Sequence, residues 1–118
     1  MNSQTISIND FAKLDLRVGV VKEAESIPGT RLIKLIVDLG ELGTRQLVAG
    51  LGEWYKPEEF IGKRIIVVAN LEPKRIRGVL SQGMLLAAGC KDDVKSGKVK
   101  RPALLTVDED VPPGTKIC

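Results

Sequence analysis

Pro57-Glu58-Glu59-Phe60-Ile61-Gly62-Lys63-Arg64-Ile65-Ile66-Val67-Val68-Ala69-Asn70 sets a helical turn in front of a strand, in a chain that otherwise alternates like a sheet. Proline suits the first helical position, where an N–H would have no intrahelical partner. Glu58 and Glu59 put negative charge at the positive end of the helix dipole, and Gly62 supplies a stop. The spacing predicts a short helix over 57–61. Arg64 to Asn70 is β-branched and apolar on both faces, which predicts a central strand.

Three strands precede that helix. Leu16-Arg17-Val18-Gly19-Val20-Val21-Lys22-Glu23 alternates but slips at Val20-Val21, and Gly19 beside the slip predicts a bulge or a bend. Arg31 to Leu39 sets Ile33, Leu35, Val37 and Leu39 on one face, with Leu32, Lys34, Ile36 and Asp38 opposite. Gly40-Glu41-Leu42-Gly43 turns the chain into a third strand, Thr44 to Leu51. Ahead of them Ser7 can cap a short helix with Ile8, Phe11, Ala12 and Leu14 as its apolar stripe. After the central strand, 70–83 reads as a long loop and Met84 to Ala88 as a fifth strand. A Lys/Asp/Gly loop, a strand near Pro102 to Val107 and a turn at Val111-Pro112-Pro113-Gly114 complete the chain.

Three strands, a helix and two strands is the order of the OB-fold, a five-stranded Greek-key barrel. An SH3-like barrel fits the helix at 57–61 less well. The expectation is an all-β chain: an OB-fold barrel with short helices and a C-terminal β extension. One domain spans 1–118, with the barrel over about 8–90 and the extension over 91–118. Added strands need covering, so the extension is expected at a homodimer interface.

Composition narrows the chemistry. The 118 residues contain no histidine, which removes Ser-His-Asp and Cys-His nucleophile systems and any imidazole base. Two cysteines without histidine cannot close a tetrahedral zinc site in one chain. Cys90 has Lys91 beside it but reads as a small apolar residue at a strand end, and Asp108-Glu109-Asp110 as a solvated turn. Gly50-Leu51-Gly52 opens a phosphate-loop pattern that Tyr55 breaks. A chain that is not an enzyme, with no cofactor and no metal, is expected. The N-terminus lacks a signal peptide's character and no apolar run is long enough to cross a membrane, so a cytoplasmic location with no membrane partner is expected.

Charge nominates the ligand. Residues 63–101 carry ten Lys and Arg against Glu72, Asp92 and Asp93. OB barrels bind on the face of strands two and three, between the loops joining strands one to two and four to five. Those loops are 26–31 and 70–83; they carry Arg31 on the first and Lys74, Arg75 and Arg77 on the second, and the face adds Lys34 and Arg45. Asn70 and Ser81 offer neutral hydrogen-bonding groups, and Met84 opens the strand that follows. The four aromatic residues, Phe11, Trp54, Tyr55 and Phe60, fall at the helices rather than across the strands. A stacking platform for generic single strands is therefore missing, and a folded RNA read through its backbone suits the face better.

The run Val67-Val68-Ala69-Asn70-Leu71-Glu72-Pro73-Lys74-Arg75-Ile76-Arg77-Gly78-Val79-Leu80-Ser81-Gln82-Gly83-Met84-Leu85-Leu86-Ala87-Ala88 resembles the signature of the tRNA-binding domain family. Phe11-Ala12-Lys13-Leu14-Asp15-Leu16-Arg17-Val18-Gly19 and Leu47-Val48-Ala49-Gly50-Leu51 resemble it too. The resemblance implies binding to the outside corner of folded tRNA by a homodimer, with Asn70, Lys74, Arg77, Ser81 and Met84 in contact. Arg31 stands where the family has a lysine, in a first loop one residue shorter than the family's. A chain of this length opening on methionine looks like an accessory, non-catalytic β subunit of methionyl-tRNA synthetase, which would raise tRNA affinity for a separate catalytic chain. The export-related chaperone of the same superfamily, a peptide-binding dimer, is the alternative: it shares the Gly40–Gly43 hairpin and the Tyr55–Glu59 segment but lacks the Ser81-Gln82-Gly83-Met84 pattern.

Overall fold

Strict alternation at Ile33, Leu35, Val37 and Leu39 drives those four side chains to full burial, and the barrel is built around them. The computed structural model describes residues 4–118. Its strands are β1 (Leu16–Ser26), β2 (Ile33–Asp38), β3 (Thr44–Ala49), β4 (Arg64–Val68), β5 (Lys74–Ile76), β6 (Val79–Ser81), β7 (Met84–Leu85), β8 (Ala87–Ala88) and β9 (Ala103–Leu104); its helices are α1 (Ile8–Phe11) and α2 (Lys91–Lys95). Five strands form an antiparallel sheet in the order β3-β2-β1-β4-β7, which curls into a nearly closed barrel of the OB type.

β1 serves two neighbours. Its first half, Leu16 to Val20, pairs with β4, and its second half, Val20 to Ser26, pairs with β2. The register shift lies between Val21 and Glu23, so the extra residue is Lys22, a little beyond the predicted slip. Gly19 serves close packing instead, because a Cβ there would overlap Val37 Cγ1 and lie 3.0 Å from Leu39 Cδ2 and 3.2 Å from Val67 Cγ2. The strand can cross the core so closely only without a side chain.

β4 is central, as its composition predicts, with Ile65, Ile66, Val67 and Val68 all buried. Beneath it lies Phe60, wholly buried, with its ring 5.3 Å from that of Tyr55. The predicted helix over 57–61 is shorter than expected. It is one 3-10 turn, Pro57–Glu59, in which the Glu59 carboxylate accepts from Lys56 N at 2.8 Å. Gly62 at φ +83° ends it.

Three other expectations are corrected. The stretch 70–83 is a hairpin of β5 and β6 rather than a loop. Its turn residues Arg77 and Gly78 both have positive φ, 53° and 81°, as a two-residue hairpin turn requires. The fifth strand breaks after Leu85: β7 pairs with β4, whereas β8 turns away to pair with β9. The segment after it is not all loop, because the Asp93 carboxylate accepts from Cys90 N at 2.9 Å and starts α2. Cys90 is thus an exposed residue at a helix start rather than part of a strand end.

α1 forms as expected, with the Ser7 hydroxyl accepting from Asp10 N at 3.1 Å. Among the described residues its apolar stripe is left uncovered: Ile8 and Phe11, and Leu14 just beyond the helix, are exposed. The C-terminal segment, in contrast, covers its own barrel. Thr115 O accepts from Val18 N, Val18 O from Gly114 N and Leu16 O from Ile117 N, filling the edge of β1 that β2 leaves open. Asp15 secures this junction, accepting from Arg17 Nε at 2.7 Å and from Lys116 Nζ at 3.3 Å. Tyr55 OH donates to Pro102 O at 2.7 Å under the Arg101 guanidinium, which lies 3.9 Å from the ring centre.

Gly19→Ala is expected to destabilise the barrel by about 1–3 kcal/mol through overpacking, read from denaturant midpoints. The hydrogen bond from Arg17, reinforced by Lys116, holds the Asp15 carboxyl below the usual carboxylate value. Because the folded value is the lower one, this stabilisation is complete above the unfolded value and is lost as pH falls through the folded value. Wild type is therefore expected to lose melting temperature more steeply than Asp15→Asn below about pH 4.

Candidate nucleic-acid interface

The two loops that the barrel order brings together do meet. Gly29, Thr30, Arg31 and Leu32 face Lys74, Arg75, Ile76 and Arg77 across one cleft. Thr30 fixes the first wall: its hydroxyl donates to Ile27 O at 2.8 Å and accepts from Leu32 N at 3.0 Å. Gly52 pins the same loop from below, its N–H reaching Arg31 O at 2.8 Å, while a Cβ there would sit 2.6 Å from that oxygen. This close approach is what Gly52 provides, although its spacing from Gly50 suggests only a broken phosphate-loop pattern.

The second wall is the β5–β6 hairpin. Lys74, Arg75 and Arg77 are exposed on it, and among the described residues none is ion-paired to a carboxylate. Arg75 Nη1 donates to Gly78 O at 3.2 Å, so that guanidinium folds over the turn. Three cations on a short hairpin repel one another unless an anion stands in front of them.

The other sequence-nominated residues separate into distinct positions. Arg31 reaches Glu53 at 3.0 Å and Lys34 reaches Glu25 at 2.6 Å, both as solvent-facing pairs. Exposed pairs are worth about 0–1 kcal/mol, so exchanging a carboxylate for a phosphate costs little. Arg45 does not share a face with Lys34. In the β2–β3 register it lies on the same side of its strand as Leu47 and Ala49, and its guanidinium donates to Ala69 O at 2.8 Å. Met84 is exposed beside the hairpin.

Ser81 and Asn70 are held inside the protein's own bonding. Ser81 is buried; its hydroxyl accepts from Val48 N at 3.0 Å and donates to Gly83 O at 3.1 Å. Asn70 Oδ1 accepts from Asp15 N at 2.8 Å and its Nδ2 donates to Lys13 O at 2.6 Å. Ser81 fastens the hairpin to β3, and Asn70 ties the chain just after β4 to the segment that precedes β1. Sequence reasoning missed Glu53 as the partner of Arg31 and Gln46 and Gln82 as the clamp behind the hairpin. Neutral amides at such spacing carry no distinctive pattern.

A small OB-type barrel with a cationic hairpin and a facing loop defines the class: a barrel with a cationic cleft. A family model described as "Putative tRNA binding domain" matches residues 16–116, and the chain belongs to that family. It is similar to methionine–tRNA ligase of Thermotoga maritima, with 53% identity over 113 residues, 95% of this chain and 16% of the relative. The chain therefore spans about one sixth of the length of such curated relatives. Among solved structures it is similar to a MetRS-related protein from Pyrococcus horikoshii, with TM-score 0.86, 40% identity and coverage of 98% of this chain and 100% of that one. The chaperone CsaA of Bacillus anthracis is also similar, with TM-score 0.83, 36% identity and coverage of 98% and 100%. Among the described residues no helix is long and apolar enough to cross a membrane.

Ser81→Ala leaves Val48 N–H without its acceptor and is expected to destabilise the fold by about 1–3 kcal/mol. Thermal denaturation without RNA reads this effect, which a residue acting only on RNA would not produce.

Proposed function

We propose that this chain binds folded tRNA as a non-catalytic homodimer and acts as the accessory β subunit of methionyl-tRNA synthetase, raising tRNA affinity for a catalytic chain. The observation that carries the reading is the trio of exposed, carboxylate-free cations Lys74, Arg75 and Arg77 on a rigid hairpin, in a member of the tRNA binding domain family. Arg31 and Lys34 extend the phosphate footprint once released from Glu53 and Glu25. Ser81 holds the hairpin, Asn70 holds the chain leading into it against Asp15 and Lys13, and Met84 borders it, so the contact set implied by the resemblance divides into touching and supporting residues. Arg45 stiffens the barrel end behind the face. The homodimer is supported by the exposed apolar side chains of Ile8 and Phe11 on α1 and of Leu14 just after it. The synthetase role is supported by the identity with methionine–tRNA ligases.

A peptide-binding chaperone is the second reading, favoured by the likeness to CsaA. The two separate in one titration against folded tRNA, unstructured RNA of equal length, duplex DNA and unfolded polypeptide. The tRNA reading expects preference for folded tRNA that persists at about 0.15 M salt, near physiological ionic strength; equal binding to all RNAs, or binding to polypeptide alone, overturns it.

Arg77→Asn is the cleanest variant, because asparagine tolerates the left-handed turn while losing the charge. It is expected to keep the melting temperature of wild type and to flatten the salt dependence of tRNA affinity by about one unit, the value of one phosphate contact. Lys74→Ala is expected to do the same. An unchanged slope in both overturns the phosphate role. Co-sedimentation with a methionyl-tRNA synthetase catalytic chain tests the subunit assignment, and sedimentation of the free protein tests the dimer.

A further inference from the structure

A second cleft of about 590 Å³ opens beside the cationic one. Its walls are apolar: Leu32, Val48, Leu51 and Trp54 on one side, Ala87 and Pro102 on the other. Arg31 and Leu32 line both clefts, so the two lie side by side. Lys91, at the start of α2, stands on the rim of the apolar cleft, and Glu53, already paired to Arg31, lines it as well. An apolar slot with one aromatic wall and a cation at each rim matches the chemistry of a nucleotide: a flat base flanked by phosphates.

We propose that this slot takes one unpaired base of the bound RNA, with its flanking phosphates at Arg31 and Lys91. The proposal rests on the tRNA reading above and deepens it. The volume exceeds that of a single purine ring and lies within the range of small-ligand sites, roughly 300–1,000 Å³. An extended peptide is the poorer occupant. It needs a strand edge to pair with, and on β3 the amides of Gln46 and Val48 are already taken by Gln82 Oε1 and Ser81 Oγ. The base supplies the salt-independent part of binding, and the hairpin supplies the electrostatic part.

Gly50 offers the test. It lies two residues beyond Val48 in the same wall, and a Cβ there meets nothing within 4 Å, so a larger side chain fills the slot without disturbing the core. Gly50→Leu is expected to keep the melting temperature, to weaken tRNA binding by about fivefold or more (the lower end of what one stacked base contributes) and to leave the salt slope unchanged. Lys91→Ala is expected to flatten the slope by about one unit. Trp54 is the single tryptophan, so its emission in the unmodified protein is expected to be quenched at the concentration where the gel shift saturates. In a Cys118→Ser chain, alkylation of Cys90, which lines the slot, is expected to slow when tRNA is bound; this readout needs no cleft variant.

Equal affinity of Gly50→Leu and wild type, with Trp54 emission and Cys90 alkylation unmoved by saturating tRNA, overturns the slot while Arg77→Asn still shows weakened binding. Quenching of Trp54 by an unstructured apolar peptide and not by tRNA overturns it in favour of a peptide occupant. If wild type binds no tRNA at all, the functional reading and the slot fall together.

Discussion

The amide of Val48 has to find an acceptor, and almost everything at the interface follows from which one it finds. β3 is the last strand of the sheet, so its outer edge would be left with bare N–H and C=O groups. No strand ladder closes the barrel there. Three side-chain links do so instead: Ser81 Oγ to Val48 N, Gln82 Oε1 to Gln46 N and Gln46 Nε2 to Leu80 O, backed by Gln82 N to Gln46 O at 2.7 Å. Buried amides without partners are costly, so these links are obligatory as well as favourable. They fasten the end of the β5–β6 hairpin to the barrel wall, and the cations of the hairpin inherit that rigidity.

A division of charge operates around the same cleft. The cations of the binding face fall into two groups, those on the hairpin without carboxylate partners and those on the flanking face with exposed ones. The first group creates a standing positive field that attracts a polyanion from a distance. The second is neutralised locally by its carboxylates, which limits indiscriminate attraction. The Asp15 junction is of another kind, with Asp15 and Arg17 mostly shielded, Lys116 exposed, and the partners drawn from both ends of the described chain.

Much of this is legible in the residues. Period-two alternation fixes the inward face of β2, β-branched residues on both faces mark β4 as central, and Ser7 marks the start of α1. The misses have identifiable causes. The hairpin at 74–81 is hidden because its turn uses Arg77 at positive φ, where Asn or Asp would be the readable signal. The break between β7 and β8 carries no proline or polar residue, since it arises from competition between β4 and β9 for one short segment. Charge alone puts Arg45 on the binding face, yet its parity with Leu47 points it the other way, a distinction that the register supplies. The α1 stripe is readable as apolar, but no pattern says whether an apolar face is covered by its own chain.

The union of β1 with the C-terminal segment has a further meaning. Ile117 N bonds Leu16 O at 2.8 Å, so entry to and exit from the barrel meet at one point on its surface. The cationic hairpin and its facing loop are supplied by other segments of the chain. A unit wired this way can be grafted through either end, or spliced between two segments of a longer polypeptide, without re-aiming the cationic hairpin.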